Sequence, residues 1–360
     1  MRVITELTLG KADPGLREPE KPFDFATAGE NAALIESLGY DGIMATETKD
    51  DPFLMLTLAA NATRRIGLST AVAIAFPRAP ASMAMTAWGL QKLSGGRFVL
   101  GLGTQVRPHI ERRFGMKAGP IGPWMRDYVR AVRAVWDCWQ NGTPLDFESE
   151  NYRLNLMVPL FDPGPIPFGA PPIHLAAVNA YLSRVAGEVA DGLRPHPVCT
   201  PLYMQQVMLP AIREGAARAG RDLADFQIVQ RPMLATAPDE ERLQPRIRDI
   251  RARVAFYLST PTYRPAFAPF GLEDLAKHLS KLAREQRWEE MPGLVDDEIM
   301  HTFAVVGTYD EIADKILERF TGVLSEVGFS IAVENEDDAA KLAAMVARIQ
   351  SVPSPALTAT

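Results

Sequence analysis

Cysteine is nearly missing from this 360-residue sequence: Cys138 and Cys199 stand alone, and no CxxC pair occurs. That excludes a disulfide framework and a cysteine-built zinc site, and it suits a reducing, cytoplasmic setting. No apolar run approaches the roughly 18 residues that a membrane span needs. The opening MRVITELTLG does not read as a secretory leader. Basic residues are not in excess: Lys plus Arg number 38 against 44 Asp plus Glu, a net charge of −6. Neither nucleic acid nor an anionic membrane surface is therefore an expected partner. The five histidines show no HExxH or other ligand spacing, so no metal is expected. No GxGxxG follows the first strand-like run, which argues against an open dinucleotide-binding sheet.

What is present is ordinary in bulk and informative in order. Apolar residues make up 47% and charged residues 23%, as in soluble globular chains. The 29 prolines promise sharply punctuated loops. The most telling stretch is RRIGLSTAVAIAFPRAPASMAMTAWGLQKLSGGRFVLGLGTQ, Arg64 to Gln105. Ile66 to Ala75 is a nearly continuous apolar run, the pattern of a strand covered on both faces. Pro77 and Pro80 end it and open a helix through Leu93, and Gly95 and Gly96 close that helix. Phe98 to Leu102 is then a second buried strand. Two buried strands joined by a crossover helix predict a parallel βαβ unit. Its small residues, Ala71, Ala73, Ala75, Gly101 and Gly103, leave room for a flat ligand or serve tight packing.

The alternation extends along the chain. Further strands are expected at Val3–Leu9, Asp41–Thr46, Ile173–Ala177, Gly192–Arg194, Phe226–Thr236 and Phe329–Val333. Helices are expected at 23–38, 52–63, 123–140, 181–190, 203–219, 240–258, 272–287, 294–303, 309–320 and 337–349. A polar loop is expected over 10–22 and a disordered tail over 351–360. Strand then helix, about eight times, predicts one closed (β/α)8 barrel over 1–350. Its insertions fall at about 105–122, 143–172 and 260–305. An open doubly wound sheet is the alternative.

Catalysis on such a barrel sits at the C-terminal ends of the strands. Glu47, after the second strand, is placed to accept hydrogen bonds or shuttle a proton; a solvated loop acid is the plainer reading. Glu6 points into the barrel, where a carboxylate needs a partner. His109, among Arg107, Arg112 and Arg113, is a candidate proton donor, and His196 after strand six is a second. The arginines could grip a phosphate or carboxylate. His174, inside a strand, reads as a satisfied structural histidine. Ala176 to Asn179 ends a strand and opens a helix, where bare N–H groups bind phosphate well; Asn179 is equally a plain cap.

Four segments together resemble the luciferase-like flavin and deazaflavin oxidoreductases: GYDGIMATET, the stretch from Arg64 to Gln105, IHLAAVNAYLSRVAGEVADGL and VVGTYDEIADKI. VRPHIERRFGM and FDPGPIPFG resemble the subgroup that uses coenzyme F-420, a 5-deazaflavin. The resemblance implies a luciferase-like TIM barrel and hydride transfer between C5 of the cofactor and a small organic substrate. An FMN-dependent monooxygenase and a non-catalytic flavin- or phosphate-binding barrel are the alternatives. It implies a strand-three bulge at Ala73 and Ile74, often a non-proline cis peptide, behind the ring, with Ala75 next to it. It implies Glu47 at the ring, Thr104 and Gln105 at its edge, and Ala177, Val178 and Asn179 under the cofactor phosphate. His109 would donate the proton, with Glu6 and His196 as alternatives, and a homodimer is expected. Two positions depart from relatives that oxidise sugar phosphates: Thr48 stands where they have histidine, and Val106 near where they have an acid.

Overall fold

The computed structural model describes residues 1–10 and 22–355. The expected loop over 10–22 therefore lies mostly outside the described residues, as do the last five of the tail. Eight parallel strands close on themselves: β1 (Arg2–Glu6), β2 (Gly42–Ala45), β3 (Gly67–Thr70), β4 (Phe98–Gly103), β5 (Ile173–Ala177), β6 (Gly192–Pro195), β7 (Gln227–Gln230) and β8 (Glu326–Gly328). Closure is made where Arg2 of β1 faces Glu326 of β8. The open-sheet alternative falls, since no barrel strand is left at an edge.

Helices cover the outside in the expected order. They are α1 (Ala28–Ser37), α2 (Pro52–Ala62), α3 (Pro80–Ser94), α4 (Ile121–Asn141), α5 (Ala180–Val189) and α6 (Leu209–Ala219). Local chemistry sets their ends. Asp51 accepts from the Phe53 N–H at 2.8 Å, with Pro52 at the first helical position of α2. Gly95 takes φ +68° to stop α3, a backbone state that costs glycine nothing. Outward-facing Leu68, Phe98, Leu100 and Leu102 are all at most 1% exposed and pack under this helical layer. The barrel lumen is different: its apolar part is a small separate cluster of Ile4, Met44 and Val229, with Ala71 against it. Among the described residues no helix is long and apolar enough to cross a membrane.

Two expected strands move, and one appears that was not expected. The run Phe226–Thr236 is two strands, β7 and Met233–Ala237, broken at Arg231–Pro232. Pro232 has no N–H to give to a ladder. The second piece leaves the barrel and pairs in parallel with Ala304–Thr308, a strand the sequence reading passed over between two helices. The last barrel strand is Glu326–Gly328 rather than Phe329–Val333, because Arg2, Val3 and Ile4 pair with 326–328. Between β7 and β8 the chain also forms α7 (Glu240–Ser259), α8 (Glu273–Arg284), α9 (Asp297–Phe303) and α10 (Ile312–Phe320); α11 (Glu336–Gln350) follows β8. The insertion after α4 carries a two-stranded antiparallel hairpin, Phe147–Glu148 with Arg153–Leu154.

Candidate active site

Strand β2 delivers Thr46 and Glu47 to the C-terminal mouth of the barrel. The Glu47 carboxylate accepts from the Ile74 N–H at 2.7 Å and from Arg78 Nη1 at 2.9 and 2.7 Å. Arg78 also reaches Asp51 at 3.0 Å and lies over the Phe53 ring. Burial pulls the Arg78 pKa down, but the bonds and charges of Glu47 and Asp51 outweigh it, so the net shift is upward. Glu47 is thus neither a solvated loop acid nor an unengaged base; its side chain is 10% exposed. Arg78 is a residue the sequence reading missed. It sits in the turn FPRAP, whose prolines mark a helix start and give no sign of the pairing.

The strand break implied at Ala73 and Ile74 lies two residues earlier. Strand β3 ends at Thr70, the peptide joining Ala71 to Val72 is cis, and pairing resumes at Ala73–Ile74. Ala73 and Ile74 are held in regular register with Leu102 and Gly103. Ala73, Ile74 and Ala75 are 0%, 2% and 0% exposed, so Ala71 and Val72, both half-buried, are the residues at the surface of the mouth. Thr46 Oγ1 donates to the Ala71 carbonyl at 3.3 Å, and the Glu47 N–H to that of Val72 at 3.4 Å.

The glycines of β4 serve close approach. A Cβ on Gly101 would sit 2.0 Å from the Thr70 carbonyl oxygen, and one on Gly103 would sit 2.4 Å from Val72 Cγ2 and 3.9 Å from Ala176 Cβ. Val72, in the break after β3, therefore lies beside Gly103 of β4, with Ala176 of β5 next to it, as a floor of small apolar groups. Thr104 and Gln105 follow at its margin, both half-buried, with Gln105 at φ +59°.

Beyond that floor α5 begins. Asn179 Oδ1 accepts from the Leu182 N–H at 3.0 Å, so its side chain acts as the cap. The N–H groups of Ala180 and Tyr181 have no partner within the helix. The Val178 carbonyl accepts from Tyr203 Oη at 2.9 Å, and Ala177 is 4% exposed.

Two more candidates meet the mouth. Glu6 pairs with Arg231 at 2.8 Å and lies 3.2 Å from Thr46 Oγ1, sharing that one hydroxyl proton with the Ala71 carbonyl, so the inward carboxylate is matched by a cation from the end of β7. His196 stacks on Tyr263 with centroids 4.2 Å apart and meets the edge of Tyr257 at 4.8 Å. Its Nδ1 accepts from the Val198 N–H at 3.3 Å, which leaves the ring proton on Nε2. The tyrosines come from the stretch after β7, where the sequence predicts only a helix over 240–258 and an insertion from about 260. Burial raises the Tyr263 pKa to about 12, so its hydroxyl stays protonated. His109 is brought to none of these groups. It is exposed on a short π-helical turn, and its imidazole makes no hydrogen bond among the described residues.

Comparison with known proteins agrees with this architecture. The chain is similar, at 43% identity, to an uncharacterized protein of Mycobacterium tuberculosis, over 85% of this chain and 90% of that one. It is similar at 26% identity to a putative coenzyme F-420-dependent oxidoreductase of the same organism, over 79% of this chain and 84% of the relative. The solved coenzyme F-420-dependent tetrahydromethanopterin reductase from Methanopyrus kandleri shares the fold, with a TM-score of 0.72 at 20% identity over 95% and 96% of the two chains. The model of the luciferase-like monooxygenase family matches residues 4–325, and the chain belongs to that family.

Proposed function

We propose that this chain is an oxidoreductase that binds coenzyme F-420 at the barrel mouth. It would transfer a hydride between C5 of that cofactor and an activated alkene, imine, carbonyl or alcohol. The observation that carries this reading is the small-residue floor of Val72, Gly103 and Ala176, leading to the open amides of Ala180 and Tyr181. The residues present fit such a group: small side chains suit a flat ring, and first-turn amides suit an anionic tail. When bound, the deazaflavin supplies an obligate hydride donor or acceptor.

The chain's own residues then have separable tasks. Glu47 and Arg78 hold the backbone at Ile74, and so the segment from Ala71 that forms one side of the mouth. Thr46 fixes the Ala71 carbonyl. His196 holds a proton at Nε2 beside two phenols and serves as the proton donor in this reading. Arg231 neutralises Glu6 at the end of β1. The relative named a putative coenzyme F-420-dependent oxidoreductase supports the cofactor choice.

The test is a titration of purified protein with coenzyme F-420 and, separately, with FMN, followed by fluorescence. Saturable F-420 binding with much weaker FMN binding is expected. Tight FMN binding alone would move the chain to the monooxygenase side of its family, and binding of neither would remove the reading.

A further inference from the structure

The opposite end of the barrel carries a feature that hydride transfer does not use. A cavity of about 890 Å³ opens there, lined among others by Arg2, Ser69, His174, Arg194, Gln227 and Glu326. Two lining groups lack the partners that burial demands. Arg194 is 7% exposed, yet its guanidinium makes no hydrogen bond or ion pair with any described residue, and Nε is wholly enclosed. His174 is 1% exposed, and its Nδ1 is also without a partner among the described residues. The expectation of a satisfied structural histidine is thus corrected: the ring is buried but not satisfied.

Nearby charge does not resolve this. Glu326 is held by Arg2 at 2.8 Å, so those two charges cancel. Burial, helped by Arg194 and Arg2, keeps His174 neutral. Arg194 is left with no ion pair of its own among the described residues, Glu326 acting on it only from a distance. Burial lowers its pKa to about 10, against the opposing pull of Glu326, so it remains protonated at neutral pH. An isolated buried guanidinium is strongly unfavourable. The chain nonetheless makes room for it: a Cβ on Gly101 would lie 3.0 Å from Arg194 Nε, and one on Gly192 would lie 2.6 Å from the His174 ring. Two lumen positions give up their side chains where these groups sit.

We propose that this basal chamber is an anion site, in which Arg194 and His174 together receive a small oxyanion, either a carboxylate or a phosphate. The planar fork of arginine matches both shapes through paired N–H donors. The site stands apart from the mouth, and its test does not depend on the proposed cofactor.

The test titrates the full-length protein with formate, inorganic phosphate or chloride at equal ionic strength and follows thermal unfolding. A saturating rise of a few degrees with formate or phosphate, beyond any effect of chloride, is expected, because a ligand that binds only the folded state stabilises it. The arm that saturates at lower concentration identifies the ligand class. Arg194→Met should abolish the rise. Because that variant could fail to fold, wild-type crystals soaked in selenate provide a second reading. An anomalous peak within hydrogen-bond distance of Arg194 supports the site. Equal shifts with all three salts, or a chamber holding ordered water alone, overturns it.

Discussion

Arg78 Nη1 lies within 2.9 Å of both Glu47 oxygens, and the same carboxylate holds the Ile74 N–H at 2.7 Å. An acid at a strand end is thereby converted from a reactive group into a clamp on the backbone. Glu47→Gln removes the charge that Arg78 needs and should destabilise the fold by about 2 kcal/mol. Urea unfolding measures this. In a double-mutant cycle with Arg78→Met the coupling should be about 1–3 kcal/mol. Additive effects would mean that the clamp carries no energy of its own.

The two β4 glycines should respond differently to the same change. Gly103→Ala meets a side chain, Val72 Cγ2 at 2.4 Å, and should cost about 1–3 kcal/mol by overpacking. Adding Val72→Ala removes the offending atom and should restore most of that loss. Gly101→Ala meets the backbone oxygen of Thr70 at 2.0 Å, which no side-chain truncation relieves. Thermal unfolding of the three variants, with F-420 binding as a second readout, checks the contrast.

His196 and His109 separate by location. His196→Phe keeps a ring between Tyr257 and Tyr263 but removes the proton at Nε2. Cofactor binding should persist while kcat falls by about 100-fold, the scale of a lost general acid. His109→Ala, on an exposed turn, should change kcat by less than about threefold, as expected of a residue outside the reacting groups. The reverse ranking in steady-state assays would return the proton donor to the loop after β4.

Stability should fall in mild acid. His174 is kept neutral by burial first, then by the charges of Arg194 and Arg2, so its pKa lies well below the ordinary 6.5. Below about pH 6.5 the unfolded chain binds a proton that the native state refuses, so the slope is positive, about 1.4 kcal/mol per pH unit for this one group. The contribution is fully present above the unfolded value and is lost as pH falls towards the native one. Urea midpoints at several pH values should show this, and His174→Gln should flatten the dependence.

Much of the barrel was legible because strand and helix alternate with clear stops, as at Asp51–Pro52 and Gly95. The break at Ala71–Val72 was not legible in the residues themselves, since the apolar run from Ile66 to Ala75 carries no mark of it; the family resemblance implied one, two residues too late. The strand Ala304–Thr308 was hidden because it follows α9 without a turn signal. At the mouth, sequence located Glu6, Glu47 and His196 through topology. It could not pair Glu47 with an arginine thirty-one residues on, nor Glu6 with Arg231 from the far side of the chain. Such pairings arise only when the ring closes. His109 drew attention as an imidazole on a loop after a barrel strand, a local pattern that says nothing about direction.

The ladder of Met233–Ala237 with Ala304–Thr308 has an evolutionary corollary. The chain departs from the end of one strand and returns at the start of its parallel neighbour, a gap of about 13 Å at some 3.3 Å per residue. Residues 238–303 therefore hang from a fixed bracket outside the barrel and supply Tyr257 and Tyr263 to its rim. Such a segment behaves as an interchangeable cassette: descendants could trade it for one of another length and acquire a new clientele while the hoop of eight strands stays as it is.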